Sequence, residues 1–417
     1  MLASPHRANL SVDGARLWQS LMEMARIGPG VAGGNNRQAL TDADGEGRRL
    51  FARWCEGLGM TLVTDRLGNM FARREGSEPG LDPVVLGSHL DTQPTGGRYD
   101  GVLGVLAALE AVRVMEEGRI ATRRPIVIAN WTNEEGTRFA PPIMGSSVFT
   151  GRASLDEVLE ARDAAGLRLG DELARSGWRG EAEVGLQPMH CYLELHIEQG
   201  PILEAEGVDI GVVTHGQGSR WLEGTIRGQE AHTGSTPMGM RRDAARGLAR
   251  LIDIAHAIAM EHAPDAVGTI ARIDVHPNSP NVIPGEVVFT ADFRSHRPEV
   301  LAAMQARFEA EALEACAALD LGFSSRVTGA YEPPIFDERL VAAIRAAADD
   351  LGLSRRDIVS GAGHDASVLN AVVPSAMIMC PCVGGLSHNE AEEITPAWAE
   401  AGANVLLRAA LTLADEA

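Results

Sequence analysis

The chain has 417 residues, of which 45% are hydrophobic and 23% charged, and its formal net charge is −20. This length exceeds the roughly 100–200 residues of one typical domain, so we expect two domains with sizeable cores. The composition excludes a disordered chain. The negative charge, with no cluster of Lys and Arg, argues against binding to nucleic acid.

Cysteine usage and the N-terminus bear on the cellular compartment. The five cysteines are odd in number and scattered, which predicts reduced core residues rather than disulfides or a zinc site. Residues 1–13 lack the basic-then-apolar pattern of a signal peptide, and no stretch approaches the roughly 18 apolar residues of a membrane span. We therefore expect a cytoplasmic protein without a membrane segment.

The first half of the chain alternates predicted helices with apolar strands. Helices are predicted at residues 15–27 and 41–58, followed by short strands at 61–64 and 69–72. A buried helix is predicted at 102–116. Near-continuous apolar runs, typical of strands covered by helices on both faces, lie at 84–89, 126–131 and 192–197, and a fourth lies much later in the chain, at 376–380.

The pattern changes near Thr214. Segments 221–227, 268–275 and 287–294 alternate apolar and polar residues, whereas 242–263 and 298–319 are helical. This β-α-β-β-α order predicts a small α+β sandwich with an antiparallel sheet.

The α/β pattern returns after Pro334, with a helix at 338–351 and the strand at 376–380. We therefore predict an α/β fold. Its mostly parallel-sheet catalytic domain, residues 1–214 and 334–417, is interrupted by an inserted α+β domain, residues 215–333.

Side chains that can bind a metal lie near the end of each of the four apolar runs or shortly after it. His89 ends the first run, Glu134 and Glu135 follow the second, His196 lies near the end of the third, and His388 follows the fourth after a glycine turn. Open α/β sheets bind ligands beyond the carboxyl ends of their strands. We therefore expect these side chains to meet at one rim, although each histidine alone is more often an ordinary residue.

Carboxylates near these histidines suggest further roles. Asp91 would share a strand face with His89 and could orient its imidazole by accepting the second N–H. Asp100 begins the predicted buried helix, where a carboxylate could equally be a cap. Glu134 and Glu135 are adjacent, so one could bind a metal while the other moves protons, although a solvated acidic loop has the same composition.

Three imidazoles and two carboxylates form a ligand set that suits zinc, manganese, cobalt or nickel. The five residues are His89, Asp100, Glu135, His196 and His388. One catalytic zinc usually takes three protein ligands. Five ligands therefore indicate two divalent ions that share a carboxylate, with zinc as the first choice, an arrangement that stabilises the oxyanion at an attacked carbonyl.

Five motifs surround these residues: GSHLDT at 87–92, YDG at 99–101, NEEGTRF at 133–139, ELHIEQGP at 194–201 and LSHNE at 386–390. Together they resemble the hydantoinase/carbamoylase amidases, a branch of the binuclear-zinc aminoacylase and carboxypeptidase superfamily, and this resemblance implies a zinc-exopeptidase-like fold for the catalytic domain. The branch includes N-carbamoyl-L-amino acid hydrolases, allantoate amidohydrolases and β-ureidopropionases. The resemblance extends over nearly the whole chain, and His196 stands where peptidases of the superfamily usually carry an acidic ligand.

The resemblance implies a role for each member of the ligand set. Asp100 would bridge the two metals, with His89 and His196 completing one position and Glu135 and His388 completing the other. Glu134 would be the general base, so its protonation must be reversible near neutral pH.

The inserted domain would serve as a lid and as the homodimer interface, by the same resemblance. His232, in the motif GQEAHTG at 228–234, would stabilise the tetrahedral oxyanion, often in the neighbouring subunit's site. Asn281 and Arg294 would bind the substrate carboxylate, which agrees with the planar fork that Arg presents to such a group.

Three residues outside the insertion would lie on the substrate side, again by resemblance. They are Gln199, Gly363 and His364. Glycine at 363 could let the backbone approach a ligand. His364 could contact that ligand, or it could form a structural pair with Asp365.

These features predict an amidohydrolase that cleaves the carbamoyl C–N bond of a small ureido or N-carbamoyl amino acid, releasing ammonia, carbon dioxide and the amino acid. Allantoate amidohydrolase is the alternative, because it needs the same metals and the same carboxylate-binding residues. It differs in needing a pocket for a second ureido group. His196 and Gln199 disfavour an aminoacylase or dipeptidase. A non-catalytic binding protein of this fold predicts loss of Glu134 or a metal ligand, and none is lost.

Overall fold

The computed structural model describes residues 10–185 and 187–416. These residues form two compact units: the first runs up to Thr214 and resumes at Ile335, and the second is His215–Pro334. The expectation for the N-terminus falls largely on residues 1–9, which lie outside the described residues. Within the described ranges, no helix is long and apolar enough to cross a membrane.

The strands of the described residues are numbered in chain order. They are β1 (Thr61–Thr64), β2 (Met70–Arg74), β3 (Val84–His89), β4 (Ile126–Trp131), β5 (Cys191–Ile197), β6 (Ile210–Gly216), β7 (Gly218–Arg227), β8 (Ala231–His232), β9 (Ala266–His276), β10 (Val282–Ile283), β11 (Glu286–Ser295), β12 (Gly322–Tyr331), β13 (Arg355–Ser360) and β14 (Ser375–Cys380).

The α-helices of the same residues are α1 (Gly14–Ala25), α2 (Asp42–Gly57), α3 (Val102–Glu117), α4 (Met144–Phe149), α5 (Leu155–Leu159), α6 (Leu169–Ser176), α7 (Ile202–Glu206), α8 (Ala244–Glu261), α9 (Pro298–Ala317), α10 (Glu338–Asp350), α11 (Asp365–Leu369) and α12 (Pro396–Ala414). Short 3-10 turns occupy Met238–Met240 and Val383–Gly385.

The first unit is built on an eight-stranded sheet with the order β1-β2-β4-β3-β5-β14-β6-β13. Its four central strands, β4, β3, β5 and β14, pair in parallel, while β1, β2 and β6 pair antiparallel at the flanks. All residues of the four central strands are buried, which explains their apolar runs. The predicted α/β fold with a mostly parallel sheet is confirmed, and the carboxyl ends of these strands meet at one edge.

Helix α3 lies close against this sheet because its glycines leave room. A Cβ added at Gly104 would lie 2.4 Å from the backbone oxygen of Leu195, in β5, and 2.9 Å from Cβ of Ser88, in β3. Gly101, which precedes the helix, has φ +68°, and a Cβ there would lie 2.3 Å from the His89 ring. The start of α3, with Asp100, is therefore held against the ends of β3 and β5.

The second unit contains a four-stranded antiparallel sheet with the order β12-β7-β11-β9. Helices α8 and α9 pack against it, and the core between them includes Leu222, Phe289, Phe293 and Phe308. A separate two-stranded ribbon pairs β8 with β10.

The predicted β-α-β-β-α order was incomplete, because β12 follows α9 and pairs with β7. Most side chains of β12 are exposed or half-buried, and its sequence GFSSRVTGAY lacks a regular apolar alternation. The hydrophobic pattern therefore carries little signal for this strand. The sheet position of β12 depends on backbone pairing instead.

We expect Gly104→Ala to lower the free energy of unfolding by about 1–3 kcal/mol, because an added methyl group would collide with backbone that cannot move freely. Thermal and urea unfolding would measure the effect. Gly57→Ala is the matched control, since Gly57 also lies in a helix and a Cβ there has nothing within 4 Å. Equal stability of the two variants would contradict this account of how α3 packs.

Candidate metal centre

The structure brings the five predicted ligands together in the first unit. His89 is the last residue of β3, His196 lies in β5, and Asp100 lies just before α3. Glu135 follows β4, and His388 lies in the loop after β14. Two of the groups able to hold a metal ion consist of these residues, and they share Asp100.

The first group contains His89, His196 and one oxygen of Asp100, all of them buried. Oδ1 of Asp100 is 3.2 Å from Nε2 of His196 and 3.7 Å from Nε2 of His89. The two imidazole nitrogens therefore face the same carboxylate oxygen.

The second group contains the other oxygen of Asp100, with His388 and Glu135. Nε2 of His388 is 3.3 Å from Oδ2 of Asp100 and 3.5 Å from Oε2 of Glu135. The two oxygens of Asp100 thus face different sets of side chains, which is the arrangement of a bridging carboxylate.

The donor atoms fit a divalent metal. Ligand atoms in a tetrahedral zinc site lie about 3.4 Å apart, given zinc–nitrogen and zinc–oxygen distances near 2.0–2.2 Å. The four nitrogen–oxygen pairs given above are 3.2–3.7 Å apart, and all ligand atoms of each group lie within 4.8 Å of one another. In addition, Nε2 of His196 is buried and makes no well-aligned hydrogen bond within the described ranges. These residues could hold one metal ion in each group.

Backbone carbonyls set the tautomers of the two buried histidines. Nδ1 of His89 donates to the backbone oxygen of Asp91 at 2.8 Å, and Nδ1 of His196 donates to that of Ile197 at 3.0 Å. The Nε2 lone pairs are thereby left to face the metal groups.

The expected contact of the Asp91 carboxylate with His89 was wrong. Strand β3 ends at His89, so the alternation of strand side chains does not extend to Asp91. Its carboxylate instead accepts the backbone N–H groups of Glu134 at 3.3 Å and Glu135 at 3.2 Å. Asp91 therefore orients the His89 ring through its backbone and the two glutamates through its side chain.

The charges at the site favour an anionic Asp100. Burial alone would raise its pKa, but the neighbouring imidazoles of His196, His388 and His89 hold the pKa of this carboxyl well below its usual range. Burial, with the negative charges of neighbouring carboxylates, raises the pKa of Glu134 and of Glu135 well above theirs. A bound cation would favour the ionised form of these carboxylates.

Two of the three residues predicted for the substrate side of the first unit, Gln199 and His364, also lie near the metal groups. The side-chain amide of Gln199 donates to Oδ2 of Asp100 at 2.9 Å. His364 is buried, and its ring centre is 4.4 Å from that of His196. A Cβ at Gly363 would meet only a methyl carbon of Ile143 within 4 Å.

The sequence left open that His364 forms a structural pair with Asp365 instead of contacting a ligand. The carboxylate of Asp365 accepts a hydrogen bond from the Ser146 hydroxyl at 2.5 Å. Nε2 of His364 is buried and has no hydrogen-bond partner among the described residues. The described contacts therefore do not show a His–Asp pair.

In the second unit, His232 is the last residue of β8 and is exposed. Its Nδ1 accepts the backbone N–H groups of Gly234 at 3.0 Å and Ser235 at 3.1 Å. The neutral ring therefore carries its proton on Nε2, which is free to act as a donor. Asn281 immediately precedes β10, and its backbone oxygen accepts the Thr233 N–H at 3.2 Å.

Arg294 lies on β11 of the second unit. Its Nε and Nη2 donate to Oδ2 of Asp292 at 3.0 and 2.8 Å, and its side chain is 38% exposed. Asp292 thereby restricts the orientation of a guanidinium group that is still accessible from solvent.

Sequence reasoning missed the residues that support the ligands. Gln93 donates its backbone N–H to Oε1 of Glu135 at 3.1 Å. Glu194 accepts the Ser88 hydroxyl at 2.7 Å and the Ala366 N–H at 2.9 Å. Gln93 and Glu194 lie close in sequence to Asp91 and His196, but this proximity does not show which groups they would bind.

Comparison with known proteins gives consistent matches. Residues 85–412 match the peptidase family M20/M25/M40. The chain is 56% identical over 407 residues to an N-carbamoyl-L-amino-acid amidohydrolase of Rhizobium meliloti, covering 98% of each chain. It is 32% identical over 376 residues to an allantoate amidohydrolase of Escherichia coli K12, covering 90% of this chain and 92% of the other. A hydantoinase/carbamoylase family amidase from Burkholderia multivorans superposes with a TM-score of 0.93 at 50% identity, covering 98% and 99% of the two chains.

We expect the metal-free protein to lose stability as the pH rises from about 4 to 7. Burial raises the pKa of Asp91 to about 7 and that of Glu392 to about 7. The folded state therefore keeps protons that the unfolded chain releases, and the stability present below the unfolded pKa is lost as the pH rises. Two histidines act in the opposite sense: burial lowers the pKa of His89 to about 4 and that of His364 well below its usual range. The buried carboxyl groups whose pKa is raised outnumber them.

Urea unfolding of chelator-treated protein between pH 4 and 7 would measure this loss. Added zinc should restore more stability at pH 7 than at pH 5, where the ligands are partly protonated. Asp91→Asn, which removes one titrating group, should flatten the profile. A metal-free protein that becomes more stable across this range would contradict the expected charge balance.

Proposed function

Because the chain belongs to the peptidase family M20/M25/M40 and is an amidohydrolase of the hydantoinase/carbamoylase kind, we propose that it hydrolyses N-carbamoyl-L-amino acids at two divalent metal ions. The observation that carries this proposal is the position of Asp100, whose two oxygens face two separate ligand groups. The reaction consumes one water and yields the amino acid, carbon dioxide and ammonia.

His89, His196 and Asp100 would hold one ion, and Asp100, Glu135 and His388 would hold the other. Zinc is the first choice for these imidazole and carboxylate donors, and manganese, cobalt and nickel suit them as well. Such ions, when bound, supply Lewis acidity toward a carbonyl group and lower the pKa of water.

Glu134 would move the protons of the reaction. Its carboxylate is buried, with Oε2 3.5 Å from Nε2 of His89, and its backbone is held by Asp91. The raised pKa of Glu134 suits a group that takes a proton from the attacking water and returns it to the leaving nitrogen. Glu135, the adjacent carboxylate, would remain a ligand.

Other side chains would recognise the substrate. Arg294 and Asn281 would bind its carboxylate, since a guanidinium and an amide donate to both oxygens of such a group. His232 would donate from Nε2 to the oxyanion. Gln199, Gly363 and His364 would line the carbamoyl side. The protein would act in the cytoplasm as a homodimer assembled through the inserted unit, which would also serve as a lid.

A substrate panel with ammonia detection tests the proposed function. Protein reloaded with zinc or manganese should release ammonia from N-carbamoyl-L-amino acids faster than from allantoate or 3-ureidopropionate, because its 56%-identical relative is named for the first class. Faster release from allantoate would replace the proposed substrate with the alternative. No release from any member of the panel would refute the proposed reaction.

Glu134→Gln should lower kcat by roughly 10²–10⁴-fold, since an amide cannot accept the proton. Metal content, measured by mass spectrometry of the dialysed protein, should be unchanged. Glu135→Gln is the comparison, because it should lose metal as well as activity. Retained turnover in Glu134→Gln would remove Glu134 as the base.

A further inference from the structure

His388 is the least constrained of the three histidines in the metal groups. Its side chain is 52% exposed, whereas those of His89 and His196 are buried. Its backbone has φ +53°, a left-handed conformation that non-glycine residues keep only where the surroundings impose it. Within the described ranges, its ring has no backbone carbonyl partner of the kind that orients His89 and His196. Other hydrogen bonds must therefore hold the loop that carries His388 in place.

One support for the loop is Glu392, a carboxylate that is 1% exposed. Oε1 of Glu392 accepts the backbone N–H groups of Tyr99 and Asp100, each at 3.1 Å. Its other oxygen accepts the hydroxyl of Ser387, next to His388, at 2.9 Å. Glu392 therefore ties the segment that carries the bridging carboxylate to the loop that carries His388.

Ser387 strengthens this tie. Its Oγ also lies 3.2 Å from Oδ2 of Asp100, the oxygen that faces His388. The amide of Gln199 donates both to that oxygen, at 2.9 Å, and to Oγ of Ser387, at 3.1 Å. The orientation of Oδ2 and the position of His388 are thus set by one hydrogen-bond network.

A second support lies on the other side of His388. The carboxylate of Glu390 accepts the backbone N–H groups of Ala32, at 2.5 Å, and Gly34, at 3.2 Å. Glycine is required at 34, because an added Cβ would lie 2.2 Å from the backbone oxygen of Gly96 and 2.5 Å from Cα of Glu390. The backbone at Ala32 and Gly34 therefore binds the Glu390 carboxylate and anchors the loop two residues beyond His388.

We propose that Glu392 and Glu390 are positioning residues that hold His388 against Asp100 and thereby set the metal affinity of the second position. This inference rests on the proposed binuclear centre. The two glutamates act as hydrogen-bond acceptors for backbone and hydroxyl groups, and they are not themselves ligands. The first position contains His89 and His196, whose rings are oriented by backbone carbonyls. Its metal affinity should therefore depend less on the two glutamates.

The test is a metal titration of the metal-free full-length protein, with zinc content measured by mass spectrometry and affinity by chelator competition. Wild type should bind two zinc ions per chain. In Glu392→Ala one ion should lose about 10–100-fold in affinity, the usual effect of removing a group that orients a metal ligand, while the other ion stays within about threefold. Glu390→Ala should weaken the same ion.

Glu392→Gln keeps one oxygen that can accept both backbone N–H groups, so its affinity should lie between wild type and Glu392→Ala. This variant also covers the case in which Glu392→Ala does not fold. Glu393→Gln is the matched control: Glu393 accepts the Tyr99 hydroxyl at 2.6 Å and does not contact Asp100, so it should bind both ions as wild type does.

Two results would overturn the inference alone: unchanged affinity for both ions in the Glu392 variants, or an equal loss at both positions. A wild-type protein that binds fewer than two ions would instead overturn the binuclear centre, and this inference with it.

Discussion

The carboxylate of Asp100 joins the two groups of ligand atoms, because each of its oxygens faces a different set of side chains. Its position depends on how closely helix α3 approaches the sheet. Gly101 leaves space for the His89 ring, and Gly104 lets the helix contact the backbone of β5. A substitution at either glycine that moved the start of α3 away from the sheet would separate Asp100 from both groups of ligand atoms.

The carboxylate of Asp100 is one of several negative charges that are buried together at the metal groups. Asp100, Glu134 and Glu135 lie within one largely buried volume, together with Asp91 behind them. Burial of several negative charges is costly unless cations or hydrogen bonds offset it. Histidines and backbone N–H groups supply part of this compensation, and divalent ions would supply the rest. The raised pKa values of the two glutamates follow from the same crowding.

The ligands differ in how they are supported. His89 and His196 are placed by strands of the parallel sheet, where backbone hydrogen bonds and packing define the side-chain direction, and backbone carbonyls set their tautomers. His388 lies on a loop, and its support comes from Ser387, Glu390 and Glu392. A strand end needs few extra contacts to place a ligand, whereas a loop needs a network of them.

Much of this organisation could be predicted from the sequence. Apolar runs identified the central strands, because strand burial leaves a direct hydrophobic pattern. Side chains near the ends of these runs or shortly after them gave four of the five candidate ligands. The resemblance carried by five motifs indicated the family and the shared carboxylate. Strand β12 escaped prediction because an exposed strand leaves no such pattern.

Tertiary structure determined which atom of each residue makes which hydrogen bond. The sequence alone placed Asp91 two residues after His89, but only the end of β3 determined that its backbone oxygen, and not its carboxylate, meets the imidazole. Likewise, the contacts of Glu392 with Tyr99 and Asp100 join residues nearly 300 positions apart. Sequence patterns report periodic burial and local spacing, whereas such contacts depend on the packing of loops from distant parts of the chain.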